Sequence, residues 1–173
     1  MTEILLVRRA KRGDPDAFVA LMERHKAAMY RTAVSIMHND ADAADAMQEA
    51  ILRCWQSIGT LQNDSYFKTW LTRILINCCK EIIRKNGPII YLDSYDSVPA
   101  GSDTSLSDRR VQECIDGLSE NHRLIFTLHY MQGLTVKEIA SLLSMNENTV
   151  KTRLARGRKE FRKQYCDEEA FSL

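Results

Sequence analysis

Four histidines (His25, His38, His122 and His129) and five cysteines (Cys54, Cys78, Cys79, Cys114 and Cys166) are the side chains best suited to metal ligation or nucleophilic catalysis. Their spacing supports neither chemistry. There is no Cys-x-x-Cys pair, no His-Glu-x-x-His and no nucleophile elbow, and the seven scattered glycines leave no phosphate-cradling loop. Single His and Cys residues on helical stripes read as core residues. Cys78 and Cys79 are adjacent, so only one is expected to face a core and the other to be open to oxidation. The odd cysteine count argues against a disulfide framework. The charged start, MTEILLVRRAKRGD, has no apolar leader, so a reducing, cytoplasmic compartment is expected. No catalytic residue, metal or cofactor is expected.

Basic chemistry is concentrated elsewhere. The net charge is only +1, from 24 Lys+Arg against 23 Asp+Glu, yet residues 151–163 hold seven basic side chains and one acid, Glu160. This segment ends the run TVKEIASLLSMNENTVKTRLARGRKEFRK (135–163). Thr135-x-x-Glu138 is a capping box that starts a short helix. Ser144-Met145-Asn146 is a three-residue turn, and Asn146 can cap the helix after it. Val150, Leu154, Gly157 and Phe161 then form one narrow apolar stripe. Counting roughly 100° per residue from Val150, Asn148, Lys151, Thr152, Ala155, Arg156 and Lys159 fall between about 100° and 240°, opposite that stripe. Arg153, at about 300°, flanks the stripe, where its stem can snorkel. A basic outer face with small polar residues and an alanine near its start suits a recognition helix. The first turns meet base edges, and Lys and Arg meet phosphates.

The elements that must position this helix are themselves helical. Apolar residues recur at three and four nearly everywhere. Helices are expected over about 2–12, from Asp14-Pro15 to the thirties, from Asn39-Asp40 to Gly59, and from about 66 to Gly87-Pro88. In the third, Met47, Ile51, Cys54, Trp55 and Ile58 are expected to face inward. Further helices are expected over 107–117, 120–131, 135–143 and 147–163. Residues 87–106 have no basic residue and no helical period, and are rich in Ser, Asp, Gly and Pro. They read as a linker, with Ile89–Leu92 lying on a surface. The fold class is therefore all-α: two helical domains (1–86 and 107–166) joined by a flexible linker (87–106), the second containing a helix-turn-helix, with a frayed acidic tail (167–173). Two domains so joined are expected to tumble partly independently. No stretch approaches the ~20 apolar residues of a membrane span.

The N-terminal half makes the reading specific. DAADAMQEAILRCW (42–55), followed by FKTWLTRILINCCKEIIRK (67–85), resembles region 2 of the extracytoplasmic-function sigma factors of bacterial RNA polymerase. LSENHRLIFTLHYMQGLTVKEIASLLSMNENTVKTRLARGRKEF (118–161) resembles their region 4. The resemblance covers about 10–165, with two motifs in the family's order.

It implies a promoter-specificity subunit for RNA polymerase core. Asp45, Gln48 and Glu49 match positions that contact the polymerase clamp helices. The loop LQNDS, with Leu61, Asn63 and Ser65, and Ile74 and Asn77 match the pocket that captures an unstacked minus-10 base. Lys68, Arg73, Lys80, Arg84 and Lys85 match phosphate contacts on the same helix, while Trp70 falls on its apolar stripe. Where Leu61 stands the family often has an aromatic, so the chain departs from the pattern at the stacking position. Asn148, Lys151, Thr152, Ala155, Arg156 and Lys159 form the expected minus-35 set. The family further implies an anti-sigma partner, often membrane-anchored, and a stress or envelope-response regulon. Two other classes compete. A regulator sharing only the helix-turn-helix would lack the DAADAMQEA and FKTWLTRI segments. A helical enzyme would need the site that the His and Cys residues do not make.

Overall fold

The structure, a computed structural model, describes residues 2–86 and 106–170. The linker expected over 87–106, Leu106 apart, lies outside the described residues, as do 171–173. Among the described residues all regular structure is helical.

Local signals start and stop the N-terminal helices. Helix α1 (Glu3–Lys11) ends at Gly13, whose φ of +86° is a left-handed conformation that glycine adopts without strain. The Asp14 carboxylate accepts from the Ala17 amide at 3.1 Å, and Pro15 opens α2 (Pro15–Met37). Asn39 accepts from the Asp42 amide at 3.0 Å and opens α3 (Asp40–Ser57). Two short 3-10 turns, Ile58–Thr60 and Asp64–Tyr66, lead into α4 (Phe67–Asn86).

Helices α2, α3 and α4 enclose one core, with Leu21, Met37, Phe67, Leu71 and Leu75 fully buried. Helix α3 enters it by a face of small residues: Ala43, Ala46, Ala50 and Cys54. Cys54 and Ile58 of the inward set expected above are buried, and the other three are corrected. Met47 and Ile51 are only half-buried, and Trp55 lies at the surface with its ring 4.9 Å from Phe18. Alanines let three helices approach closely, and the larger side chains are displaced to the margins. The expectation for the cysteine pair is also corrected. Cys78 and Cys79 are both buried, because α4 is flanked by α3 on one side and α2 on another. Burial pushes the Cys79 thiol up to about 12, so it stays protonated and inert. Among the described cysteines only Cys166 is exposed.

The C-terminal half comprises α5 (Leu106–Asp116), α6 (Glu120–Phe126), α7 (Val136–Leu143) and α8 (Glu147–Ala170). Helix α6 runs into a π turn over Thr127–Met131 that the periodicity did not foretell. Helix α8 is longer than expected and continues into the segment read as tail. Its extension is fastened: Arg110 of α5 stacks 4.5 Å over the Tyr165 ring and donates to the Tyr165 carbonyl at 2.8 Å, and Gln164 donates to the Gly117 carbonyl.

The two halves are in contact. Ile76 of α4 is 1% exposed and shares an apolar cluster with Ile125, Leu128, Ile139 and Leu142. Arg123 donates to His38 Nδ1 at 2.8 Å across the same boundary.

Candidate polymerase and nucleic-acid interfaces

Helix α8 is aimed by its start. The Glu138 carboxylate accepts from the Thr135 amide at 2.8 Å while the Thr135 hydroxyl accepts from the Glu138 amide at 3.2 Å, completing the capping box of α7. Ser144 turns the chain through φ +53°. The Asn146 side chain then accepts from the Asn148 amide at 2.8 Å. Val150, Leu154 and Gly157 face the core. Gly157 lets α6 approach: a Cβ there would lie 3.3 Å from that of His122. Asn148, Lys151, Thr152, Ala155, Arg156 and Lys159 are all exposed, as their angles require. Glu160, the one acid of the segment, turns away to His122 Nδ1 (2.8 Å) and Ser119. The outer face is thus free of negative charge. Arg153 reaches back to the thioether sulfur of Met145 at 3.8 Å, consistent with snorkelling.

On α4, Thr69, Arg73, Asn77, Lys80 and Arg84 lie within roughly 80° of one another. The last four are exposed, so a continuous polar and basic stripe runs along the helix. At its start a cleft of about 400 Å3 is lined by Leu61, Asn63, Tyr66, Thr69, Trp70 and Arg73. Ile74 is half-buried against the core, and Lys68 is half-buried beside the stripe. Ser65 is exposed, and its amide donates to the Asn63 side chain at 3.0 Å. Leu61 is 6% exposed, so it packs into the core and has no free face for stacking. Tyr66, 56% exposed in the same cleft, is absent from the set expected from sequence. An aromatic next to the first residue of a helical stripe carries no periodic signal of its own.

Helix α1 braces this loop. Lys11 Nζ donates to the Leu61 carbonyl at 2.7 Å and meets Asp64 at 3.0 Å, and Arg8 meets the other Asp64 oxygen at 2.9 Å. Hydrogen bonds from Arg8 and Lys11 hold the Asp64 carboxyl below the usual range.

On α3, Asp45, Gln48, Glu49 and Leu52 recur at three, one and three and so share a face. Asp45 and Gln48 are exposed. Glu49 is partly engaged: Arg53 Nε donates to it at 2.6 Å and reaches Glu81 of α4 with both terminal nitrogens, at 2.9 and 2.8 Å. Leu52, 51% exposed, sits among these polar groups and was not foreseen as a site residue. An exposed leucine with a polar rim has the composition of a protein-docking surface.

Among the described residues no His, Cys, Asp and Glu cluster could hold a metal ion, and no helix is long and apolar enough to cross a membrane.

Residues 21–89 match the family model for sigma-70 region 2, and residues 108–161 match that for sigma-70 region 4. The chain is 32% identical to the ECF RNA polymerase sigma factor SigW of Bacillus subtilis (strain 168), over 93% of this chain and 95% of that one. It is 30% identical to the ECF RNA polymerase sigma-E factor of Escherichia coli (strain K12), over 91% of each. Among solved structures, RpoE in its co-crystal with the anti-sigma factor NepR from Bartonella quintana superposes with a TM-score of 0.71, at 22% identity, over 85% of this chain and 95% of that one. CnrH in complex with the cytosolic domain of CnrY gives 0.65, at 23% identity, over 93% and 95%.

Proposed function

The chain belongs to the extracytoplasmic-function sigma factors of RNA polymerase, and on that premise we propose how its surfaces divide the work. A sigma factor directs promoter-specific transcription initiation and is not itself an enzyme. In this reading the α3 face of Asp45, Gln48, Glu49 and Leu52 docks on the polymerase core. The α4 stripe and its cleft take the minus-10 element, with Asn63, Ser65 and Asn77 offering donors and acceptors to base edges. Lys68, Arg73, Lys80 and Arg84 engage phosphates. Ile74 stiffens the helix beneath. Stacking on an exposed base falls to Tyr66 rather than Leu61. Asn148, Lys151, Thr152, Ala155, Arg156 and Lys159 read the minus-35 element, Ala155 by apolar contact such as with a thymine methyl.

The observation that carries this reading is the outer face of α8: six exposed residues, no acid, and a capped start that presents the first turns. Run-off transcription with purified core polymerase on genomic fragments tests it. A promoter-dependent transcript is expected. Duplex binding without core association would indicate an ordinary helix-turn-helix regulator.

A dedicated anti-sigma factor is the further partner. The NepR and CnrY complexes of the structural neighbours support it, and a membrane anchor on that partner and a stress or envelope-response regulon complete the proposal. A neighbouring gene for a small protein with one membrane span would support the anchor.

A further inference from the structure

Helix α4 carries five cations, Lys68, Arg73, Lys80, Arg84 and Lys85, and one acid, Glu81. That acid has the wrong charge for a surface given above to DNA. Counting roughly 100° per residue, Glu81 lies within about 60° of both Asn77 and Arg84, at the edge of the exposed stripe. Arg84 and Lys85 follow it by three and four residues, the spacing at which an acid and a base on one helix pair. Hydrogen bonds from Arg53 hold the Glu81 carboxyl below its ordinary range, desolvation opposing, and the charges of Arg53, Lys85 and Arg84 add to the effect. The acid is therefore ionised and within reach of two cations of its own helix.

Its partner nevertheless comes from α3. Arg53 Nη1 and Nη2 donate to Glu81 Oε1 and Oε2 at 2.9 and 2.8 Å, a fork that engages both carboxylate oxygens. The same guanidinium is fixed from behind, where Nε donates to Glu49 at 2.6 Å. With all three nitrogens bonded, it has one orientation. Arg84 and Lys85 are left exposed to solvent. The basic run of α8 is arranged alike. Its single acid, Glu160, is taken by His122 of α6 and by Ser119 just before it. Both helices given to DNA thus have their one intruding acid held by a neighbouring element.

We infer that Arg53 is a positioning residue for the minus-10 surface: by taking both oxygens of Glu81 it keeps Arg84 and Lys85 open to DNA phosphates, without touching DNA itself. This rests on the proposed role of α4. Once Arg53 is lost, the carboxylate has two courses, and each weakens binding. It pairs with Arg84 or Lys85 and draws that cation off phosphate, or it stays unpaired beside the phosphate and repels it. A fork that merely clamps α3 to α4 behaves differently. It is broken by loss of either partner and is not mended by loss of the second. A fork that sequesters a charge is mended, because a neutral residue at position 81 leaves nothing to sequester.

The test uses the full chain assembled with core polymerase and a fluorescein-labelled promoter fragment found by run-off transcription. Arg53→Gln should lose about tenfold in affinity at about 50 mM salt and about threefold at about 200 mM, since one phosphate contact fewer lowers the salt slope by about one. Glu81→Gln alone should stay within about twofold of wild type, and the double variant should return to that range, slope included. Arg53→Lys, which keeps a charge beside Glu81 but not the fork, should lose no more than about threefold, and it serves where Arg53→Gln perturbs the fold. Arg53→Gln also releases Glu49, so association with core is measured separately and DNA affinities are taken with core in saturating excess. Circular dichroism checks that helix content is unchanged. An Arg53→Gln variant that binds like wild type, a loss equal at both salt concentrations, or a loss that persists in the double variant would each overturn the inference. A promoter-dependent transcript from the wild type alongside any of those outcomes overturns the role of Arg53 alone. A wild type that gives no such transcript overturns the reading of α4 as a DNA surface, and the inference with it.

Discussion

Arg156 and Lys163 are both exposed on α8, but they sit at different depths. Arg156 lies within the first three turns, beside Thr152 and Ala155, where a recognition helix meets base edges. Lys163 lies two turns later, where only phosphate is in reach. Arg156→Ala should cost about 1–3 kcal/mol and relax preference at one position of the minus-35 element. Lys163→Ala should weaken every sequence alike and lower the salt slope by about one. Affinities across a base-substitution panel at several salt concentrations distinguish them, and uniform weakening by Arg156→Ala would mean that the face is rotated. The exposed face of α8 was legible because a helix with one narrow apolar stripe has only one possible outside. Leu61 was not. A leucine beside Gln62 and Asn63 looks like part of a polar loop, and the core cluster it joins, with Lys11 holding its carbonyl, is assembled only by the fold.

At the scale of the element, α3 shows how periodicity can misplace a core. Its large apolar residues invited a stripe through Met47, Ile51 and Trp55, whereas the helix packs through Ala43, Ala46 and Ala50. Hydrophobicity ranks side chains by size, but the gap between close helices selects for smallness, and that gap is a property of α2 and α4 rather than of α3. Two substitutions read out which face is which. Ala46→Leu should destabilise the fold by about 1–3 kcal/mol through overpacking, measured by chemical denaturation. Leu52→Ala should leave stability nearly unchanged, since the side chain is half in water, and should weaken association with core polymerase. Helix starts were the most legible features: Asp14-Pro15, Asn39, Thr135 with Glu138, and Asn146 all cap where their residue types indicate. The π turn was not legible, because its residues repeat with the same apolar spacing as the helix before it.

Across the whole molecule, the boundary between the halves contains a titratable group. Arginine only donates, so His38 Nδ1 must accept from Arg123 and the ring must be neutral, with its other nitrogen 3.5 Å from Glu120. Burial, and then the charge of Arg123, lower the His38 pKa below its ordinary 6.5, with Glu120 opposing. With the halves in contact this proton is thus bound less readily than on a His38 left to water. Its contribution is fully present above about pH 6.5 and is lost as the pH falls through the window beneath that value. Small-angle scattering should therefore report expansion on acidification from pH 7.5 toward 5.5, and His38→Gln, which can still accept from Arg123, should flatten that dependence. Contact between the halves was not legible in the sequence, since Arg123 and His38 lie far apart in the chain and look like an ordinary surface cation and an ordinary core residue. The fastening of Arg110 to Tyr165 has a mechanical sense. Chain arriving from the first half is tied to the handle of the reading helix, not to its blade, for Tyr165 lies about 21 Å along the axis from Lys151. Tension in that chain becomes a torque, tilting the groove-facing turns about their footing before any force can lift them from it.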